Sequence, residues 1–457
     1  MNRNKIKDYI LQNFNKVKIN SMDILCGDVF IALQGKNIHG ASFIKDVLEN
    51  GASFVVTDKI LEKKNVNKKI IIVENVLDFL DLIAKEKRKI FNGKIIGITG
   101  SVGKTSVKEN LIFFLENSFN VSASIRNYNN YLGVIISLLN LDLNSDYAIF
   151  EIGTNDFYEI RKLTSIIKPS QVIITNIYPT HLEKLINTKN IAEEKSDIFN
   201  PNYNKNTQIA ILPNENEDEK IIIEKAFKLK LFKIITFGNN SSSDMKNVKI
   251  KPFDSFHSKI NLKYQNRKLS FVIPNNQVLR INNILICLSI FIFNKINLDI
   301  FFSVSMNVPL VEGRGLENNL IFNKKNIKFI DESYNASPKS MKTTIDFFSN
   351  LKTNKNQKKF LVLGDMKELG KYSNFYHKDL LNYIYSKKLE NIIICGEYMK
   401  IALDKNFSKN FILMFDKNII LEYLERHLSN NDIILIKGSN SSITNEIAKD
   451  LLKRKVN

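Results

Sequence analysis

A glycine-rich segment between an apolar run and an amphipathic stretch constrains this chain more than any other feature. It reads Gly97-Ile-Thr-Gly-Ser-Val-Gly-Lys-Thr-Ser106 and begins inside the strand-like run Ile95–Thr99. Glycines in such a loop let backbone N–H groups turn toward phosphate oxygens, and the dipole of the following helix adds positive potential. The segment therefore predicts a phosphate-binding loop at the edge of an α/β sheet.

The end of this loop carries the expected chemistry. Lys104 is predicted to pair with the β- and γ-phosphates of ATP, and the Thr105 hydroxyl to ligate Mg²⁺. Ile98 stands where the strict pattern has glycine, and a chance glycine-rich turn is the alternative. The intact Gly-Lys-Thr-Ser sequence between a strand and a helix favours the phosphate loop. The residues assigned to nucleotide binding here are Thr99, Gly100, Ser101, Val102, Gly103, Lys104, Thr105 and Ser106.

Apolar runs recur in three blocks along the 457 residues, and each block has its own pattern. The first has short runs separated by glycine, the second alternates regularly between strand-like and helix-like segments, and the third has three runs that each end in glycine. Such alternation is typical of parallel sheets wrapped by helices. We therefore predict an α/β protein of three domains: a small N-terminal α/β domain (1–91), a central domain with a mostly parallel sheet (92–311) and a C-terminal Rossmann-like domain (312–457).

The composition excludes several classes. Cys26, Cys287 and Cys395 are far apart and form no CxxC pair, so a zinc ribbon or a disulfide framework is not indicated and a cytoplasmic, reducing compartment fits. The N-terminus is too polar for a secretory signal. The longest apolar stretch, Ile284–Phe293, is about half of the roughly 20 residues that a membrane helix needs, so no membrane span is expected.

The net charge is +19, from 66 basic and 47 acidic residues. Lysines are spread along the whole chain, which favours a general compositional bias over a nucleic-acid-binding surface. A chain of this charge can still lie on anionic lipid.

Polar residues follow two predicted strands of the central block. Glu151 ends the run that begins at Tyr147, and His181 lies a few residues beyond the run Val172–Asn176. Because ligands of parallel sheets bind past the carboxyl ends of strands, both residues are metal-ligand candidates near the phosphate loop. A capping carboxylate and an ordinary loop histidine are the alternatives. The cluster Asn127–Asn130 binds a polar substrate or forms a turn.

The third block places further polar residues after its strands. Asp331 and Asn335 lie where a strand runs into a loop, and Ser337 is a predicted helix N-cap. Arg314, between two glycines at the junction of the second and third blocks, either reaches phosphate or belongs to a linker. Lys437-Gly-Ser439 ends another strand.

Taken in order, these segments resemble those of the Mur ligase family. The matching segments are 27–33, 99–106, 127–134, 151–153, 181–183, 331–341, 364–370 and 437–439. The segments at 331–341 and 364–370 resemble the branch that joins D-alanyl-D-alanine to UDP-N-acetylmuramoyl-tripeptide, through an acyl phosphate formed with ATP. The resemblance implies a UDP-sugar-binding first domain, a central ATPase, a third domain that contacts nucleotide and incoming dipeptide, and two Mg²⁺ ions. We also expect a monomer.

The resemblance also implies roles for single residues. Lys104, Glu151, His181 and Lys195 are expected to be catalytic, with Thr105, Glu151, His181 and a carbamylated Lys195 as metal ligands. Asn283, Arg314, Asp331 and Asn335 match nucleotide-contacting positions. The expected substrate-binding residues are Ser21, Asn127, Asn129, Asn130, Lys437 and Ser439.

Three positions depart from the family pattern: Met22, Arg280 and Asn440. Met22 replaces an arginine near the N-terminus, Leu279-Arg280 stands where His-Asn is usual, and Asn440 replaces an arginine that engages a carboxylate. A sister ligase that adds another amino acid and a nucleic-acid-stimulated ATPase remain the alternative functions.

Overall fold

The computed structural model describes residues 2–59, 67–125, 128–230, 232–351, 353–354, 356–403 and 411–454. Its strands form three sheets with four, nine and six members, and helices cover them. This is the α/β architecture that the sequence predicts.

The N-terminal part is a small parallel sheet of order β1-β2-β3-β4. Val, Ile and Phe fill its inner strands, as strands that are buried on both faces require. Its elements are α1 (Asn2–Gln12), β1 (Val17–Lys18), β2 (Val29–Ala32), α2 (Ile44–Glu49), β3 (Phe54–Thr57), β4 (Ile70–Ile72) and α3 (Val76–Ile90). Helix α3 begins where the Asn75 side chain accepts a hydrogen bond from Asp78 N, the geometry of an N-cap.

The central part contains nine strands in the order β13-β12-β11-β10-β9-β8-β5-β7-β6. Its first elements are β5 (Lys94–Thr99), α4 (Lys104–Leu115), β6 (Val121–Ala123), α5 (Tyr131–Leu139), β7 (Tyr147–Glu151), α6 (Glu159–Ile167), β8 (Gln171–Ile174), α7 (Leu182–Leu185) and α8 (Thr188–Ser196). They are followed by β9 (Ile209–Pro213), α9 (Glu217–Leu229), β10 (Lys233–Phe237), β11 (Met245–Pro252), β12 (His257–Tyr264), β13 (Arg267–Pro274), α10 (Ile281–Phe293) and α11 (Leu298–Val304). The strands from β6 to β11 are parallel, whereas β12 is antiparallel to both of its neighbours.

One helical stretch within the described ranges, residues 275–293, is long and apolar enough to cross a membrane. Every residue from Ile284 to Phe291 is buried, and α10 packs against α4 and strands of the central sheet. The helix therefore forms core.

The C-terminal part is a six-stranded sheet of order β14-β15-β19-β16-β17-β18, in which only β14 runs antiparallel. Its elements are β14 (Leu316–Phe322), β15 (Lys325–Glu332), α12 (Pro338–Asn350), β16 (Lys359–Leu363), α13 (Ser373–Ser386), β17 (Ile392–Ile394), α14 (Glu397–Ala402), β18 (Ile412–Leu413), α15 (Lys417–His427), β19 (Ile433–Lys437) and α16 (Ile443–Leu452). The predicted N-cap is confirmed, because the Ser337 hydroxyl accepts a hydrogen bond from Ser340 N.

A buried lysine joins the N-terminal and central parts. Lys87, on α3, is fully buried. Its Nζ donates hydrogen bonds to the carbonyl oxygens of Ile10 at 2.9 Å, Asn13 at 2.7 Å and Leu139 at 2.8 Å. The side chain thus ties α3 to the end of α1 and to the end of α5.

Replacing Lys87 by methionine is expected to lower the midpoint of thermal unfolding by about 5 °C, because three buried carbonyl groups lose a donor. Burial lowers the pKa of Lys87 from 10.5 to about 8, against a smaller opposing effect of Asp142. The unfolded chain therefore binds more protons between these two values, and the stability of the unsubstituted protein gains a contribution as pH rises through that window. The variant lacks this contribution.

Differential scanning fluorimetry from pH 7 to pH 10 measures both effects. Lys89→Met, which removes an exposed lysine of the same helix, is the matched control and should leave the midpoint unchanged. Equal midpoints for the two variants would show that Lys87 does not hold the two parts together.

Candidate active site

The phosphate loop follows β5 and leads into α4. Gly100 and Gly103 have φ values of 142° and 91°, where a side chain is strained, and a Cβ at Gly100 would lie 1.9 Å from Thr175 Oγ1. Val102 N donates to Asn176 Oδ1 at 2.9 Å, which fixes the loop against the segment after β8. The loop leads directly into the start of α4, where the first backbone N–H groups have no partner within the helix and can bind an anion.

Lys104 lies at the first position of α4. Its Nζ donates to Gly100 O at 2.7 Å, so the side chain curls back over the loop. Desolvation lowers the pKa of Lys104 from 10.5 to about 8, while Glu151 and Glu368 raise it and Arg314 lowers it further. Because the ammonium group is poorly solvated here, an anionic phosphate at this point would stabilise its charged form.

Glu151 is the last residue of β7 and is fully buried. Its Oε2 accepts a hydrogen bond from the Thr105 hydroxyl at 3.1 Å, and its Oε1 has no hydrogen-bond donor, although Lys108 Nζ lies 3.6 Å away. A buried carboxylate oxygen without a donor, next to a threonine hydroxyl at a phosphate loop, is the donor set that Mg²⁺ takes together with water and phosphate. Thr105 and Glu151 therefore fit the ion that the sequence predicts.

His181 lies after β8, just before α7, with a positive φ of 53°. Its Nδ1 is 2.5 Å from Glu368 Oε2, and this contact joins the central part to the loop after β16. The hydrogen bond from His181 lowers the pKa of the Glu368 carboxyl. In this structure, His181 Nδ1 is therefore paired with the Glu368 carboxylate on the opposite side of the cleft.

Lys195 is on α8, and only 1% of its surface is exposed. Burial lowers the pKa of Lys195 well below its ordinary value, the nearby charge of Lys104 lowers it further, and Glu194 opposes both. A lysine in these surroundings favours the neutral amine.

Lys104, Thr105, Glu151 and His181 line a cleft of about 400 Å³ between the central and C-terminal parts, whereas Lys195 lines neither this cleft nor the second one described below. Arg314, just before β14, donates to Thr105 Oγ1 at 2.9 Å, and its guanidinium lies 4.4 Å from the centre of the Tyr334 ring. Lys104, Thr105, Asn129, Asn130, Glu151, His181, Arg314, Asn335 and Glu368 are among the residues that line the cleft.

A second cleft of about 320 Å³ lies beside the first and shares Val102, Gly103, Arg314, Tyr334 and Asn335 with it. Asn283 and Lys437 line only this second cleft. The two clefts therefore adjoin each other at the phosphate loop.

Several expected site residues lie elsewhere or have structural roles. Asp331 is buried, accepts a hydrogen bond from Ser333 N at 3.0 Å and lines neither cleft. Asn130 is the N-cap of α5, where its side chain accepts a hydrogen bond from Gly133 N at 2.9 Å, and it also lines the first cleft. Ser21 lies in the N-terminal part, away from both clefts. Asn127 lies outside the described residues.

Ser439 also makes hydrogen bonds within the C-terminal part. Its Oγ accepts a hydrogen bond from Lys367 N at 3.0 Å, and its N donates to Asp365 O at 3.1 Å. This joins the loop after β19 to the loop after β16, which carries Glu368.

A charged cluster beside the second cleft was not predicted from the sequence. Glu332 contacts the Arg280 guanidinium through Oε1, and its Oε2 is 3.2 Å from Lys437 Nζ. Burial raises the pKa of Glu332, but Lys437 and Arg280 outweigh it and hold that pKa below its usual range. Arg280, which departs from the family pattern, thus bridges the central and C-terminal parts. Nothing in the local sequence around Glu332 indicates this partner.

Glu368 and Tyr334 were missed as well. Both residues lie within segments that resemble those of the family, 364–370 and 331–341. The resemblance located these segments but did not indicate which residue of each one faces the phosphate loop. Asn440, another departure, lines the first cleft.

Three family models match the chain in order. They are the Mur ligase family catalytic domain over residues 13–88, the Mur ligase middle domain over 98–291 and the Mur ligase glutamate ligase domain over 319–440.

A protein of Rickettsia prowazekii (strain Madrid E) named UDP-N-acetylmuramoyl-tripeptide--D-alanyl-D-alanine ligase is 36% identical over 437 residues, which are 93% of this chain and 93% of that protein. A crystal structure of MurF from Acinetobacter baumannii has a TM-score of 0.80 and 22% identity and covers 98% of both chains, which shows the fold. The MurF ligase from Thermotoga maritima in complex with ADP has a TM-score of 0.78 and 25% identity, over 97% of this chain and 99% of that one. These likenesses confirm the predicted fold class of three α/β domains, and the chain belongs to the Mur ligase family.

Proposed function

We propose that this chain is an ATP-dependent, ADP-forming ligase that joins D-alanyl-D-alanine to UDP-N-acetylmuramoyl-tripeptide. The observation that carries the proposal is the meeting of Lys104, the Thr105–Glu151 pair and Arg314 in one cleft between two parts of the chain. The name of the Rickettsia prowazekii relative supports the two substrates, and the ADP in the Thermotoga maritima structure supports the nucleotide.

The reaction has two steps. The terminal carboxylate of the tripeptide attacks the γ-phosphorus of ATP, the bond to the bridging oxygen breaks, and ADP leaves. The amine of D-alanyl-D-alanine then attacks the acyl phosphate carbon, loses a proton, and inorganic phosphate leaves. A free carboxylate is a poor acyl donor, so the first step supplies the leaving group that the second step needs.

The residues of the cleft suit the first step, in which two anions must approach each other. Lys104 and Arg314 bring positive charge to the phosphate loop, and the backbone N–H groups of the loop add fixed dipoles. Thr105 and Glu151 would hold Mg²⁺, which supplies further charge neutralisation when bound. His181 and a carbamylated Lys195 are proposed to serve a second ion.

The remaining assignments belong to the same proposal. Gly100–Ser106, Asn283, Arg314 and Asn335 would contact nucleotide, and the part of the second cleft that Lys437 lines would receive the dipeptide. The UDP-sugar would bind the N-terminal part near Ser21. Phosphorylated, water-soluble substrates of this kind fit a cytoplasmic enzyme, and we propose that it acts as a monomer.

Release of ADP in a coupled assay is the test of this function. With ATP, Mg²⁺ and UDP-N-acetylmuramoyl-tripeptide, we expect turnover only when D-alanyl-D-alanine is also present, since its amine must resolve the acyl phosphate. The product should gain the mass of the dipeptide less one water.

Two further arms separate the alternatives. Turnover with UDP-N-acetylmuramoyl-dipeptide and diaminopimelate would indicate the sister ligase. ADP release that is stimulated by DNA or RNA and indifferent to muramyl peptides would overturn the ligase assignment.

A further inference from the structure

The antiparallel extension of the central sheet presents a basic face that the proposed ligase reaction does not use. Strands β11, β12 and β13 span residues 245–274, which include seven cationic side chains and a single carboxylate, Asp254. One face of this three-stranded extension packs into the core through residues such as Ile260, Leu262 and Phe271. The opposite face is turned to solvent.

The strand register places the lysines side by side on the outer face. Lys251 pairs with Lys259, and Lys263 pairs with Lys246 on one side and Lys268 on the other. Lys249 pairs with Asn261, so it lies on the same face. No carboxylate stands at any described register position of this face, which carries Lys246, Lys249, Lys251, Lys259, Lys263 and Lys268.

Like charges directly opposite each other destabilise a sheet. All six lysines except Lys246 are exposed, and Lys246 is half-buried. The lysines of this face therefore repel one another. A general excess of lysine would spread the charges over the surface and would not concentrate them on one face. A planar anionic partner removes the repulsion.

Two aromatic side chains stand at one end of the basic face. The β11–β12 hairpin exposes Phe253 and Phe256, with 53% and 77% of their surfaces accessible. Asp254 holds the hairpin in shape by accepting hydrogen bonds from Phe256 N at 2.7 Å and His257 N at 2.8 Å. Aromatic rings beside a lysine cluster are typical of segments that rest on a membrane–water interface.

We propose that the outer face of β11–β13 docks on an anionic lipid surface, with Phe253 and Phe256 entering the headgroup region. The lysines supply long-range attraction to anionic headgroups, and the rings add apolar burial. A single-stranded nucleic acid is the less favoured partner, because it stacks its bases on aromatic rings along a groove, whereas both of these rings are at the hairpin tip, beyond the lysines.

Vesicle co-sedimentation tests the proposal with the full chain. We expect binding to vesicles of phosphatidylcholine with 30% phosphatidylglycerol and none to pure phosphatidylcholine. The triple variant Lys249→Gln, Lys259→Gln, Lys263→Gln should bind about 100-fold more weakly. The matched control Lys205→Gln, Lys228→Gln, Lys378→Gln neutralises three exposed lysines outside the face and should bind like the unsubstituted protein. Both triple variants should keep its thermal midpoint.

The chain contains no tryptophan, so Phe256→Trp introduces a single reporter at the hairpin tip. Its emission should shift to shorter wavelength on anionic vesicles and stay unchanged on neutral ones. Equal vesicle binding by the two triple variants, absence of binding, or an unshifted emission on anionic vesicles would overturn the proposal. Tighter binding to an oligonucleotide than to anionic vesicles would replace the lipid with nucleic acid.

Discussion

Lys104→Met is expected to lower the rate of ADP formation by about 1,000-fold or more, the largest effect of any single substitution proposed for this chain. Lys104 Nζ is held 2.7 Å from Gly100 O at the start of α4, where it offers a poorly solvated positive charge. In the transition state, the negative charge of the transferring γ-phosphoryl group is spread over its three outer oxygens. Without the Lys104 ammonium group, one of the cations that neutralise the charge of the phosphoryl group is absent.

The measurement is steady-state ADP release with both muramyl and dipeptide substrates, accompanied by thermal unfolding. Methionine keeps the length and the apolar stem of lysine, and only one carbonyl, Gly100 O, loses a donor. The midpoint of unfolding should therefore fall less than in Lys87→Met. Lys189→Met, an exposed lysine at the start of α8, serves as the control and should keep full activity. Normal turnover by Lys104→Met would remove the phosphate loop from the reaction.

Lys195→Ala is expected to lower ligase activity by about 100-fold, and short carboxylates such as formate or acetate should restore part of it. Lys195 is buried on α8 close to the charge of Lys104, which disfavours a second ammonium group. The neutral amine that results is the form that adds CO₂ to give a carbamate. Truncation to alanine leaves space where a small carboxylate supplies the missing oxygens.

Two observations distinguish this role from a structural one. Lys104→Met should show no rescue by the same carboxylates, because it lacks a cation and not an oxygen ligand. A carbamate signal should appear in ¹³C NMR of the unsubstituted protein in labelled bicarbonate and disappear in Lys195→Ala. Full activity of Lys195→Ala without added carboxylate would take Lys195 out of the site.

The sequence predicted the elements that depend on neighbouring residues. The run Ile95–Thr99 and the Gly-Lys-Thr-Ser sequence became β5, the phosphate loop and the start of α4. Tyr147–Glu151 became β7 with the same bounds, and Glu151 ends it beside Thr105. These predictions succeeded because apolar runs, glycine positions and N-caps act through the local backbone, and because parallel strands bring their carboxyl ends to one edge.

Contacts between distant residues were not predictable in this way. Arg314 donates a hydrogen bond to the Thr105 hydroxyl, although 209 residues separate the two in sequence. Glu368, in a loop of the C-terminal part, pairs with His181 of the central part. Asp331 was expected to contact nucleotide from the family resemblance, but its side chain is buried and accepts a hydrogen bond from Ser333 N. Hydrophobic periodicity identifies the apolar side of a helix or strand, but it does not identify the element that packs against that side.

The amino-acid sequence by itself determined the three α/β blocks, the phosphate loop and the strand end that carries Glu151. Only the tertiary structure decided that Glu332 joins Arg280 to Lys437, that Lys87 ties two helices to α3, and that six lysines share one face of β11–β13. The physical reason is that glycine turns, helix capping and hydrophobic periodicity depend on residues within a few positions of one another. Charge pairing and domain contact, in contrast, depend on how the finished sheets pack against one another.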